Sequence, residues 1–241
     1  MSKMGFLDHL DELRRRLIYC VIFVVIAAFA CYAFVEPLFE YLRHPLAHAA
    51  GHKLIVLEPL EIFVTYIKLS LLAALFISMP WMLLQLWLFI APGLYPRERR
   101  WILPFVVLGS LFFVGGAAFA FYLVLPVAFE YLVKMAPASV ESHFSVAAYF
   151  SLLINMMLAF GVIFELPLVM WVLCAAGIVA PQSFAKMRKY WIVIATILGG
   201  VLTPTPDPLS QILMAGPLIV FFELGILGGK LLYRKKAGVS L

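Results

Sequence analysis

Two sets of acidic residues stand out in this chain by their surroundings. Glu165 lies in Phe160-Gly161-Val162-Ile163-Phe164-Glu165-Leu166-Pro167, inside a long apolar stretch. An acid at the centre of a membrane span costs ~2.5–3.5 kcal/mol on insertion scales. Such groups face a bundle interior or a water-filled cavity and are usually functional. Pro167 removes a backbone donor, so a kink is expected beside it. The competing reading is a buried carboxyl making one structural hydrogen bond. Glu12 and Glu98 form the second set. Glu12 lies in His9-Leu10-Asp11-Glu12-Leu13-Arg14-Arg15-Arg16-Leu17, and Glu98 in Pro92-Gly93-Leu94-Tyr95-Pro96-Arg97-Glu98-Arg99-Arg100. On physical grounds alone, each reads as salt-bridged to neighbouring arginines, at little gain.

Other polar residues in apolar stretches have plainer readings. Gln85 and Gln211 read as hydrogen-bonding glue between helices. Glu223 reads as snorkelling or pairing with Lys230, and Lys68 as snorkelling outward. Enzyme signatures are missing: there is no HExxH, no GxSxG and no Walker A. Gly228-Gly229-Lys230-Leu231 lacks the spacing and the Ser/Thr of a phosphate loop. The five histidines fall outside the apolar stretches, and Cys20, Cys31 and Cys174 have no CxxC spacing. No catalytic residues, metal or cofactor are expected, so any work must come from a partner or from the membrane potential.

The elements that position these groups follow from composition. Of 241 residues, 65% are hydrophobic and 13% charged, with mean hydropathy +1.04. Soluble domains carry roughly 25% charged residues. A lipid solvent removes the problem of so much apolar surface, and long continuous runs select helices over a barrel. The expected fold is an all-α polytopic membrane protein forming one domain. Its spans are drawn at 17–35, 62–90 (broken near Pro80), 101–121, 148–176, 190–202 and 209–229. Outer loops 36–61 and 122–147, rich in proline, are expected to form a cap. The fifth span is short: thirteen residues rise ~20 Å against ~30 Å of hydrocarbon. Of the 18 lysines and arginines, all but Arg43, Lys53, Lys68 and Lys134 flank the same ends of the spans. The positive-inside rule therefore puts both termini in the cytoplasm. The formal charge of +5 is thus an orientation signal, and nucleic acid is not an expected partner. Tyr95, Trp101, Tyr190 and Trp191 read as an aromatic belt, and Leu17–Val35 as a span rather than a cleaved signal. Phe6, Leu10, Leu13 and Leu17 mark one apolar face of the first helix. Gly225 and Gly229 form a weak GxxxG packing signal.

Four motifs in order resemble the TatC family, multispanning receptor components of the twin-arginine protein translocase. They are His9-Leu10-x-Glu12-Leu13-Arg14-x-Arg16-Leu17; Phe89-Ile90-Ala91-Pro92-x-Leu94-Tyr95-x-x-Glu98-x-Arg100; Ala159-Phe160-Gly161-x-x-Phe164-Glu165-x-Pro167; and Thr203-Pro204 with Pro206-Asp207-x-x-Ser210-Gln211. The resemblance implies a bent, concave bundle in the bacterial inner membrane. It implies binding of twin-arginine signal peptides of folded precursors at the cytoplasmic face. Glu12 and Glu98 match the family's acidic recognition positions, where a carboxylate can take a guanidinium in two parallel hydrogen bonds. Arg14, Phe89 and Pro92 match positions shaping the same surface. Glu165 matches a buried glutamate facing the concave side. Pro45, Pro80, Gln85, Asp207 and Gln211 match positions tied to recognition, shape or partner contacts. The short fifth and sixth helices resemble a docking region for the single-span partners TatA and TatB. Energy would come from the proton motive force, ~2.3 kcal/mol per charge per 100 mV. Gly93, where alanine is frequent, and the long Thr203–Asp207 turn depart from the pattern. The alternative is a proton-coupled secondary transporter using Glu165 as a relay. It would require further intramembrane charges and inverted repeats, which the sequence hardly offers.

Overall fold

Backbone without water must bond to itself, so apolar stretches of this length become helices. The structure, a computed structural model, describes residues 6–44, 54–90, 102–135, 144–202 and 208–237. Its elements are α1 (Phe6–Tyr32), α2 (Val35–Leu42), β1 (Leu54–Ile55), α3 (Glu61–Ile90) and α4 (Ile102–Phe119). A π-helical segment (Ala120–Val124) then leads into α5 (Leu125–Met135) and β2 (Phe144–Ser145). After these come α6 (Val146–Phe164), α7 (Leu166–Ala175), α8 (Pro181–Lys186), α9 (Arg188–Leu202) and α10 (Pro208–Ala237). Five stretches among the described residues are long and apolar enough to cross a bilayer: His9–Tyr32, Glu61–Phe89, Ile102–Met135, Val146–Ala175 and Met214–Leu231. The chain is a helical, multi-pass membrane protein. The remaining expected span is α9, whose 15 residues rise ~22 Å. It begins two residues earlier than drawn and stays short.

Three boundaries differ from expectation, two of them at prolines. Helix α3 is not broken, because it runs unbroken through Pro80. The third span does not stop at 121. Pro126 cannot donate and crowds the turn before it. The chain widens there into the π turn, with the Leu125 amide donating to the Ala120 carbonyl, and the helix carries on to Met135. Residues 122–135, expected within an outer loop, are therefore helical. The fourth span is interrupted at Glu165, beside Pro167 as expected. Pro167 cannot bond the Ile163 carbonyl, so α6 ends at Phe164 and Pro167 falls in the first turn of α7, where no donor is needed. The sixth helix is not short. Leu231 to Lys236 are mostly good helix formers, and α10 extends over 30 residues.

The described residues form two compact units. One draws on Met1–Leu42 and Val56–Leu111. Here α1 packs along α3. The stripe of α1 that is turned inward is His9, Glu12, Arg16, Cys20, Val24 and Cys31, at helical spacing. The leucine face noted in the sequence points away, with Leu10, Leu13 and Leu17 at 45%, 41% and 63% exposure. Leu69, Leu72, Ala74, Leu83 and Trp87 are buried on α3, and Phe23 stacks on Trp81 at 5.5 Å. Helix α2 lays Phe39 edge-on to Tyr66. Buried Glu61 holds the start of α3 by accepting from the amides of Leu57 (2.6 Å) and Glu58 (3.3 Å).

The second unit draws on Arg43–Ile55 and Phe112–Leu241. Tyr149, Phe150, Leu153, Met156 and Phe160 of α6 are buried, together with Ala120, Val124, Leu125 and Phe129 of the π segment and α5. Strands β1 and β2 pair in parallel, Leu54 with Phe144 and Ile55 with Ser145. The Ser145 side chain then caps α6 by accepting from the Ala148 amide at 3.1 Å. Lipid tails are as apolar as leucine, so close packing rather than apolar burial joins these helices. A Cβ at Gly116 would run into the Phe160 carbonyl and lie 2.8 Å from the Phe164 ring, and one at Gly228 would run into the Trp171 indole. The small face of α10 that the sequence flagged does seat α7, with Gly228 at its centre.

Candidate functional site

The start of α1 and the end of α3 build one polar cluster. Glu12 and Arg16 are one helical turn apart, so their side chains meet on the same face. Arg16 turns two donors onto a single carboxylate oxygen: Nε donates to Glu12 Oε1 at 3.0 Å, and Nη2 donates to the same atom. The third donor, Nη1, reaches across to Gln85 Oε1 on α3 at 3.1 Å. Gln85 is buried, and Glu12 and Arg16 keep 20% and 22% side-chain exposure. Glu12 Oε2 is buried with no hydrogen-bond partner among the described residues. Beside this triad the His9 ring stacks on Phe89 with centroids 4.2 Å apart.

Chemically, the cluster is a carboxylate with one oxygen used and one unused, walled by an aromatic pair. An unused carboxylate oxygen is an acceptor for a cationic donor. Arg14, matched to the same surface, is exposed on another side of α1 and does not join. Its neighbour Arg15 donates to the Tyr19 hydroxyl at 2.7 Å. Glu98 and Pro92 lie outside the described residues, as do Pro45 and Asp207.

Gln85 makes a hydrogen bond between helices, the role read for it in the sequence. Its contact with Arg16 spans 69 positions, which no local spacing signals. Arg16 itself was legible as an i+4 partner of Glu12.

The second unit places Glu165 between α6 and α7, half-buried. Its amide donates to the Val162 carbonyl (3.1 Å), and its own carbonyl accepts from Val169 (3.0 Å). Oε1 is buried and has no partner among the described residues, so the single structural hydrogen bond of the competing reading is not found at that atom. Next to it Phe164 packs on Phe119 (5.6 Å) and Phe221 (3.9 Å). Gln211 donates to the Thr196 carbonyl of α9 at 2.9 Å, the interhelical bond expected of it. Glu223 pairs with Arg188 at 2.6 Å, not with Lys230. Trp191 is not a free interfacial anchor. It stacks on Phe222 (5.0 Å) and donates to the Leu218 carbonyl (3.0 Å), tying α9 to α10. No group of three or more metal-ligating side chains occurs among the described residues.

Comparison with known proteins supplies the frame for this site. Residues 8–217 match the family model for the Sec-independent protein translocase protein TatC. A Sec-independent protein translocase protein TatC from Magnetococcus marinus is 39% identical over 238 residues, covering 98% of this chain and 88% of its own. Relatives of the same name from Aquifex aeolicus and Escherichia coli are 38% and 39% identical, covering 98% and 91% of this chain and 99% and 86% of their own. A crystal structure of the twin arginine translocase receptor TatC superposes with TM-score 0.81 at 38% identity, covering 93% of this chain and 99% of the other.

Proposed function

The chain belongs to the TatC family of Sec-independent protein translocase proteins, and from that premise we propose that it is the receptor that binds twin-arginine signal peptides of folded precursors. Binding takes place at the cytoplasmic face, where the start of α1 and the end of α3 meet. The observation that carries this reading is Glu12, part-buried, with Oε2 unpaired beside Gln85 and the His9–Phe89 stack. A guanidinium fits a carboxylate through two parallel hydrogen bonds, and lysine cannot reproduce that geometry. Glu98 acts as the second acidic acceptor, with Pro92 and Arg14 shaping the surface.

The chain sits in the bacterial cytoplasmic (inner) membrane with both termini inside, as its lysine and arginine distribution favours. It scaffolds TatA and TatB, and transport draws on the proton motive force. It carries out no catalysis of its own. Short α9, joined to α10 through Trp191 and Gln211, offers the partners a thin wall.

Site-specific crosslinking of a twin-arginine signal peptide to the membrane-embedded protein tests the reading. The Glu12→Ala, Glu98→Ala double variant should lose the adduct. Wild-type crosslinking in that variant, with normal membrane levels, would remove the acidic site from the model of recognition.

A further inference from the structure

Arg16 already occupies the carboxylate assigned to an incoming arginine. Its Nε and Nη2 converge on Glu12 Oε1, while Oε2 is left buried and unpartnered. Two parallel hydrogen bonds from an incoming guanidinium need both oxygens, one each. The resident arrangement is therefore incompatible with a fully engaged ligand. Arg16 also neutralises Glu12 at close range in a partly buried setting, where charges are weakly screened. An approaching cation meets a neutral pair rather than a free anion.

Gln85 resolves what would otherwise be a costly exchange. A part-buried guanidinium stripped of its carboxylate would be left without an acceptor. Gln85 Oε1, at 3.1 Å from Nη1, is a second acceptor on a different helix. It remains in place when Glu12 is surrendered.

We propose that Arg16 is a resident competitor for the ligand arginine at Glu12. It holds Oε1 in the empty receptor and retreats onto Gln85 when a guanidinium arrives. The proposal rests on the reading of Glu12 as an arginine acceptor. It adds an affinity threshold: every ligand must displace one guanidinium. An arginine repays the lost contact with two parallel bonds, whereas a lysine, a point-like donor, repays less. The displacement cost is common to both, so it lowers absolute affinity and raises the threshold a weak ligand must clear, while two-bond recognition sets the arginine-to-lysine ratio.

The test uses the full chain in mild detergent and two fluorescent peptides, one carrying adjacent arginines and one with both changed to lysine. Arg16→Gln should tighten the arginine peptide by roughly tenfold, the equivalent of one charge-assisted hydrogen bond no longer displaced. It should tighten the lysine peptide by a similar factor, so that the arginine-to-lysine ratio is unchanged. Arg16→Lys, which keeps the charge but not the side-on pair of donors, should shift both values in the same direction by less. Weaker or unchanged binding in Arg16→Gln and Arg16→Lys, with Glu12→Gln inactive, would show that Arg16 orients Glu12 rather than competes for it. That result overturns the proposal and leaves the acceptor role of Glu12 intact. Wild-type binding by Glu12→Gln defeats the acceptor reading itself. Should Arg16→Gln lose thermal stability, Arg16→Lys decides the question.

Discussion

Glu12 and Glu165 are both part-buried glutamates on membrane helices, each with a buried oxygen that lacks a partner. Their neighbours separate them. Glu12 is matched by a guanidinium one turn away and by a glutamine from another helix. Glu165 makes no ion pair among the described residues and sits at a helix break, among phenylalanines. The first is a polar triad that can exchange one cation for another. The second is a lone acid set where Pro167 interrupts the backbone ladder. The same side chain thus serves two different physical roles, and the partner set rather than the residue type tells them apart.

That contrast can be broken at several points. The largest expected effect is at Glu12. Glu12→Ala should weaken a twin-arginine peptide by ~10- to 100-fold, the range for hydrogen bonds to a charged group. Peptide anisotropy in detergent measures it, and a change under threefold would place Glu12 with the structural ion pairs. Next is the packing that frames Glu165. Gly116→Val pushes a branched side chain into Phe164 and should cost ~1–3 kcal/mol, read as a lowered melting temperature in detergent. An unchanged midpoint would mean that the helices part there without strain. Smaller again is the difference between two Glu165 variants. Export of folded cargo should fall several-fold in Glu165→Ala and less in Glu165→Gln, since an amide keeps hydrogen-bonding capacity in a confined site. Equal export by both variants would strip Glu165 of a polar role. The smallest effect belongs to the exposed pair Arg188–Glu223. A double-mutant cycle there should give ~1 kcal/mol or less, the range for ion pairs whose side chains stay part-exposed. A large coupling would promote this pair to the rank of the Glu12 cluster.

Helix identity was legible in the sequence because a membrane span is a composition signal long enough to outweigh noise. The charge distribution and the four motifs were equally local. The errors cluster at prolines. Pro80 was read as a break and Pro126 as a loop, yet both lie within continuous helix. In lipid a helix has nowhere else to satisfy its backbone, so it absorbs a proline by local widening sooner than it unwinds. At Pro167 the expected interruption is present, two residues upstream at Glu165. Within the candidate site, the Glu12–Arg16 pair follows from helical spacing. The Arg16–Gln85 and Arg188–Glu223 contacts join residues 69 and 35 positions apart, and only packing brings them together. The inward stripe of α1 was concealed by chemistry. Its first turns are polar, and hydrophobicity alone pointed to the opposite face.

The π turn at Ala120–Val124 holds one residue more than an α-helical path would need. It is therefore the natural place for single-residue insertions and deletions among related sequences. Removing one residue there would restore an ordinary helical turn and leave the helix beyond it facing the same way. Phe129, stacked on Tyr149 at 5.0 Å, would keep that contact. Relatives that lack the extra residue should therefore show a one-residue alignment gap in this turn with the phenylalanine after it still in register.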